Sequence, residues 1–275
     1  MRVALCNEVL RHLSFEDQCA YAAALGYDGL EIAPFTLAED PSTLTDRDIA
    51  GIRSTASAHG LAITGLHWLL VSPAGLSITS SEPAVQKRTR EMIARLVDLC
   101  AALGGDVLVH GSPAQRALPE LGADEARSRA IEQFAAAGAR ARDAGVTYCI
   151  EPLSPRETNF INTVQEAASL VEAIGEPGLR TMIDTSAAGA SESEPVPDLL
   201  DRWLPTGLVA HVQINDTNRK GPGQGGDAFA PVLAALRRHG WDRTVAVEPF
   251  DYHPDGPACA ARAIGYVRGI LEALP

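Results

Sequence analysis

Eight short runs of aliphatic and β-branched residues recur along the chain, and a longer Ala-, Leu-, Arg- and Glu-rich stretch of helical period follows each one. A helix between two strands carries the chain back to the end it started from, so repeated strand–helix pairs build a parallel sheet. The strand candidates are Val3 to Cys6, Gly29 to Ile32, Ala62 to His67, Val107 to His110, Thr147 to Glu151, Thr181 to Asp184, Val209 to Ile214 and Val245 to Glu248. Eight such strands predict an α/β fold, a single-domain (β/α)8 TIM barrel.

Helix signals fall between the strands. Ser14 is placed to cap a helix ending near Gly26, Thr45 to start one ending at Gly60, and Pro83 to open one running to Gly104. Further helices are expected over Ala123 to Gly145, Thr163 to Ile174, Val196 to Leu204, Ala228 to Gly240 and Pro257 to Leu274. Two stretches rich in Gly, Pro or Ser, Ala187 to Pro197 and Asn215 to Gly226, read as loops after the sixth and seventh strands, where a barrel builds its active site. No linker, charge run or composition shift divides the chain, so one domain over residues 1–275 is expected.

The formal net charge of −12, from 23 basic and 35 acidic residues, argues against a nucleic-acid binder, which needs a Lys/Arg surplus to neutralise phosphates. Cys6, Cys19, Cys100, Cys149 and Cys259 lack paired spacing and read as reduced, buried thiols. The N-terminus turns polar too soon for a signal peptide, and no apolar run approaches the roughly 18 residues of a membrane span. A cytoplasmic enzyme with no membrane contact is the expectation.

Four ionisable residues, Glu151, Asp184, His211 and Glu248, lie within or at the end of apolar runs, and Ile150-Glu151-Pro152 and Val247-Glu248-Pro249 share one signature. Proline cannot donate to the ladder and holds the preceding residue extended, so each Glu-Pro places a carboxylate where a strand stops. In a barrel these four strand ends are neighbours around one side of the mouth. Three converging carboxylates repel one another unless they are protonated or neutralised by a cation. Two Glu, one Asp and one His suit one divalent metal ion, Mn²⁺ or Mg²⁺ first and Co²⁺ as a further candidate. The bland alternative is four separate polar strand ends capped by adjacent helices, with His211 a satisfied core histidine; alternation nevertheless puts His211, Gln213 and Asn215 on one face.

In Gly26-Tyr27-Asp28-Gly29-Leu30-Glu31-Ile32, Glu151-Pro152, Ile183-Asp184-Thr185, His211-Val212-Gln213-Ile214-Asn215-Asp216, Pro222-Gly223-Gln224-Gly225 and Val247-Glu248-Pro249, taken in order, the chain resembles the xylose isomerase-like barrel superfamily over essentially its whole length. The branch it resembles is that of the sugar isomerases and epimerases, with the ketose 3-epimerases and hydroxypyruvate isomerases. The resemblance implies that Glu151, Asp184, His211 and Glu248 hold one metal and that Glu151 and Glu248 also transfer protons. The substrate would then be a small ketose or keto-acid sugar, reacting through a metal-stabilised enediolate. Return of the proton on the opposite face epimerises the carbon, whereas return at the neighbouring carbon isomerises aldose and ketose.

The resemblance also implies that Glu157 helps bind sugar hydroxyls. Two positions depart from the ketose 3-epimerase pattern: Ala187 stands where a substrate-binding His is expected, and Thr217 where an Arg is expected, with Arg219 two positions on as a substitute. Arg219 and Lys220 could meet a carboxylate or phosphate, or form a solvated basic turn. His67 and His110 are candidates to hydrogen-bond sugar hydroxyls, beside Trp68, whose face suits a sugar ring. His253 is a weaker candidate of the same kind. Competing readings on the same fold are a dehydratase of inosose or dehydroshikimate type, a DNA-repair endonuclease, which the acidic charge opposes, and a non-catalytic sugar-binding barrel. Exposed barrel helices leave homo-oligomer formation open.

Overall fold

The computed structural model describes residues 1–274. Among them the strands are β1 (Arg2–Cys6), β2 (Gly29–Ile32), β3 (Ala62–Leu66), β4 (Val107–His110), β5 (Thr147–Ile150), β6 (Leu179–Asp184), β7 (Val209–Ile214) and β8 (Thr244–Val247). The helices are α1 (Phe15–Leu25), α2 (Asp46–Ala58), α3 (Pro83–Leu103), α4 (Ala123–Ala144), α5 (Val164–Ile174), α6 (Thr185–Ser191), α7 (Val196–Trp203), α8 (Phe229–Arg238) and α9 (Gly256–Ala273). Every strand pairs in parallel with its sequence neighbours, and β1 meets β8 through Arg2↔Thr244 and Ala4↔Ala246, which closes a (β/α)8 barrel. None of the described helices is long and apolar enough to cross a membrane.

Local chemistry sets the helix limits. The Ser14 side chain accepts from the Asp17 N–H, and Thr45 and Asp48 satisfy one another's backbone N–H groups in a reciprocal cap. Gly104 and Gly145 end α3 and α4 in left-handed backbone, which a residue with a Cβ adopts only under strain. The stretch after β6, expected as a loop from Ala187, instead begins as α6. The Asp184 carboxylate accepts from the Ala187 N–H at 2.7 Å and so caps a short helix that its Gly, Ser and Ala content does not advertise.

Side-chain alternation divides each strand between two environments. Leu30, Ile32, Leu66, Leu108, Tyr148, Ile150, Ile183 and Val247 join the large apolar cluster shared with the helices. Val107, Val109, Cys149, Met182 and Ala210 form one separate cluster, and Ala4, Cys6 and Ala246 another, which together fill the barrel interior. Carrying the interior phase one step toward the strand C-termini brings Glu31, His67, Glu151, Asp184 and Glu248 inward. The five cysteines are free and buried, as their settings suggested.

Candidate active site

Glu151 and Glu248 each stand one residue past the last laddered position of β5 and β8, and Asp184 is the final residue of β6. All three are buried, with 5%, 4% and 3% of their surface exposed. Each offers a carboxylate oxygen within 4.8 Å of the others'. Burial, reinforced by repulsion from Glu248 and Asp184, raises the proton affinity of Glu151 well above that of an ordinary carboxylate. Burial and Glu248 do the same at Asp184, against the Ala187 N–H. Burial also raises Glu248, to about 7, although hydrogen bonding to His67 works the other way.

The donor set fits a hard divalent cation. Asp184 Oδ2 and Glu248 Oε2 are buried with no hydrogen-bond partner among the described residues, and a cation between the three carboxylates would satisfy both and remove their repulsion. His211 is not part of this triad of oxygens. Its Nε2 lies 2.8 Å from Oε2 of the fully buried Glu31, whose other oxygen accepts from Gln213 Nε2 at 2.7 Å. With Nε2 in this charge contact, Nδ1 is the His211 nitrogen left for a cation. Burial opposes the Glu31 charge, but attraction to His211 outweighs it and lowers the carboxyl below the usual range.

The structure distributes the expected substrate ligands unevenly. His67 lies just past β3 and lines a small cavity with Trp68, Gly111, Glu151, Glu248 and Phe250. Its Nδ1 lies 2.9 Å from Glu248 Oε1 and its Nε2 3.0 Å from Glu8 Oε2. Burial disfavours the charged imidazole there, yet the two carboxylates prevail and raise its proton affinity well above the ordinary value. Glu157 borders the same cavity and a second, larger one of about 150 Å³; its carboxylate accepts from both the N–H and the hydroxyl of Ser154.

Arg219 lines the larger cavity beside Ala187 and Thr217, with its guanidinium 5.1 Å over the Phe250 ring. Its backbone has φ of 70°, and its carbonyl accepts from the N–H groups of Phe250 and Asp251 at 2.8 Å. Trp68, φ 52°, meets Phe250 edge-on at 6.2 Å. Two residues in strained backbone therefore contact one aromatic ring that lines both cavities. His253 borders neither of them.

His110 corrects the sequence reading. Val109, not His110, shares the interior phase of β4, so the imidazole points outward to α4, where Phe134 meets it edge-on at 5.1 Å. It is fully buried, with Nδ1 2.7 Å from the Tyr148 hydroxyl. Burial, and then Arg116, depress its proton affinity to a pKa of about 3. This neutral ring supports the wall and does not reach the mouth; Gly111 occupies the inward position instead.

Sequence reasoning passed over Glu8, Glu31 and Arg116. Glu31 carried the same signal as the four chosen residues, a carboxylate inside an aliphatic run. Glu8 sits in a 3-10 turn after β1, past the run that would have marked it. Arg116 is fully buried in the loop after β4 and donates to the Glu151 carbonyl at 2.6 Å, a contact with no sequence signature.

The profile of the family described as xylose isomerase-like TIM barrel matches residues 19–270. The ketose 3-epimerase of Arthrobacter globiformis is 29% identical over 229 residues, covering 81% of this chain and 74% of that protein. The D-psicose 3-epimerase of Ruminiclostridium cellulolyticum is 27% identical over 236 residues, covering 83% and 75%. Among solved structures, 3-keto-D-glucoside 4-epimerase from E. coli superposes with a TM-score of 0.83 at 19% identity over 98% of this chain and 99% of that one. A D-psicose 3-epimerase structure in the presence of D-fructose gives 0.80 at 20% identity over 98% and 99%. At these identities the structural likeness establishes the fold.

Proposed function

We infer the reaction from a family and a site: the chain belongs to the xylose isomerase-like TIM barrel family, and its mouth gathers three buried carboxylates. On that premise the protein is a sugar epimerase that depends on one divalent metal ion, and its substrate is a small ketose or keto-acid sugar. The relatives named as ketose and D-psicose 3-epimerases support the substrate class. The observation that carries the reading is the convergence of Glu151, Asp184 and Glu248, each with an oxygen within 4.8 Å of the others', where two adjoining cavities meet at Glu151. We propose residues 1–275 as one domain, with Glu151, Asp184, His211 and Glu248 as the metal ligands.

When bound, Mn²⁺ or Mg²⁺, or Co²⁺, would neutralise the carboxylates and acidify the carbon-bound proton next to the substrate carbonyl. The remaining chemistry belongs to the chain. Glu151 and Glu248 project from β5 and β8, strands separated by β6 and β7, and thereby flank the space between them. One removes the proton from one face of the sugar carbon and the other returns a proton to the opposite face, which inverts that carbon. Glu157 and Arg219 border the space the substrate would fill and hold its hydroxyl or acidic groups, His67 borders it with both ring nitrogens turned to Glu8 and Glu248, and Phe250 with Trp68 excludes water from the reacting carbon.

Incubating the metal-loaded protein with a panel of ketoses in heavy water tests this reading. Deuterium entering the substrate with the oxygens retained is the expected result, and Glu151→Gln or Glu248→Gln should lower its rate by about 10² to 10⁴-fold. Loss of water from the substrate, or exchange unaffected by both variants, would overturn it.

A further inference from the structure

We infer that Glu8 is a positioning residue of this site, acting through His67 to fix which oxygen of Glu248 is left for cation and substrate. The inference rests on the acid/base reading of Glu248. Glu8, His67 and Glu248 form a buried line that crosses from the turn after β1, over the end of β3, to the end of β8. Nδ1 of His67 engages Glu248 Oε1 at 2.9 Å, and Nε2 faces Glu8 Oε2 at 3.0 Å. Glu248 Oε2 is thereby the free oxygen, with no hydrogen-bond partner among the described residues.

The arrangement invites a second reading, because Cys6, Glu8, His67 and Glu248 each offer a ligand atom within 4.8 Å of the others. The ring orientation argues against a second cation there. The two nitrogens of an imidazole point in divergent directions, and Glu8 and Glu248 face different nitrogens at 3.0 and 2.9 Å, so the ring as it stands is shared between the two carboxylates and not turned with both of them to one ion. What the geometry does satisfy is a chain of contacts in which each carboxylate secures one side of the ring.

Glu8 is held rigidly enough for this role. It is 5% exposed, and neither of its oxygens makes an aligned hydrogen bond with the described residues, so the charge contact with His67 is its evident partner. The adjacent Asn7 anchors the turn: its side-chain oxygen accepts from the Ala33 N–H at 2.8 Å, and its amide donates to Gln18 at 3.0 Å and to Thr36 at 2.8 Å. A buried carboxylate on a pinned turn, aimed at an imidazole that in turn grips a reacting group, is the arrangement by which outer residues orient an inner one. Without the Glu8 charge, His67 loses the contact that orients its ring, and Glu248 can rotate its carboxylate away from Asp184 and Glu151.

The test uses the full chain and two readouts, Mn²⁺ binding followed by electron paramagnetic resonance and the kinetics of deuterium incorporation into a ketose. Glu8→Gln should weaken Mn²⁺ binding or turnover by about 10 to 100-fold, the usual effect of removing an outer partner. The loss should fall on kcat with KM little changed, and Glu8→Asp should restore part of it. Should Glu8→Gln not fold, His67→Asn should show the same pattern. Unchanged Mn²⁺ affinity and unchanged kcat in Glu8→Gln, beside an active wild type, would overturn this inference alone. Two Mn²⁺ ions per wild-type chain, the second lost in Glu8→Gln, would also overturn it by making Glu8 a ligand. A wild type that neither binds Mn²⁺ nor exchanges deuterium would remove the acid/base reading itself, and this inference with it.

Discussion

Gly111 shows how closely the buried carboxylates are packed. A Cβ at this position would stand 1.8 Å from Glu151 Oε2 and 3.0 Å from its Cδ, so no side chain fits unless Glu151 moves. Glu151 has few places to go, since Glu248 and Asp184 occupy the other side and its backbone is pinned by Arg116. Gly111→Ala is therefore expected to push the carboxylate out of line while the fold survives. A displacement on the scale of 1 Å can cost about 100-fold in rate. Steady-state kinetics beside a far-UV circular dichroism spectrum check this; a folded Gly111→Ala protein with wild-type kcat would show that Glu151 need not sit where it does. The substitutions Ala187 and Thr217 act in the opposite sense, leaving open space beside Asp184 where the ketose 3-epimerase pattern has larger polar side chains.

The strand ends were the most legible elements, and they were legible for a physical reason. A carboxylate inside or closing an aliphatic run is too costly to bury unless something holds it, which makes Glu151, Asp184 and Glu248 readable from sequence alone. Helix limits were readable through Ser14, Thr45 and the closing glycines, whose chemistry is local. What sequence could not give was phase in a strand that is apolar on both sides. Val107-Leu108-Val109-His110 has no polar alternation to say which side faces inward, and so His110 was expected at the mouth when the register turns it outward. Long-range contacts were equally invisible, with Arg116 the main case. Its guanidinium ties the loop after β4 to the end of β5 by donating to the carbonyls of Glu151 at 2.6 Å and His110 at 3.4 Å. Arg116→Gln should leave the Glu151 carbonyl unpaired in a buried setting and cost about 2–4 kcal/mol of stability. Urea unfolding should register this as a lower midpoint with an unchanged slope; an unchanged midpoint would mean that the two strand ends hold themselves.

The closed barrel concentrates at one end a group of carboxylates whose proton affinities are all raised, and this makes the stability of the entire metal-free protein depend on pH. Glu248 is raised from an ordinary value of 4.5 to about 7, and Glu151 and Asp184 are raised as well. Between those values the folded state binds more protons than the unfolded chain, so stability is lost as pH rises through the window, by on the order of 3 kcal/mol for Glu248 alone. His67, also raised, contributes in the same direction above its ordinary value of 6.5. Glu31, lowered from 4.5, acts only in more acidic solution and does not offset the loss. A bound divalent cation replaces the missing protons, and at about a hundred times its Kd it contributes about 2.7 kcal/mol. Protein stripped with a chelator should therefore unfold at a temperature several degrees lower at pH 7.5 than at pH 5.5, and added Mn²⁺ should recover more of that loss at pH 7.5 than at pH 5.5, because protons compete with the metal for the same oxygens. A metal-free Tm that is flat or rises over this range would mean that Glu151, Asp184 and Glu248 do not repel one another in the folded barrel, and would remove the main physical reason for placing a cation among them.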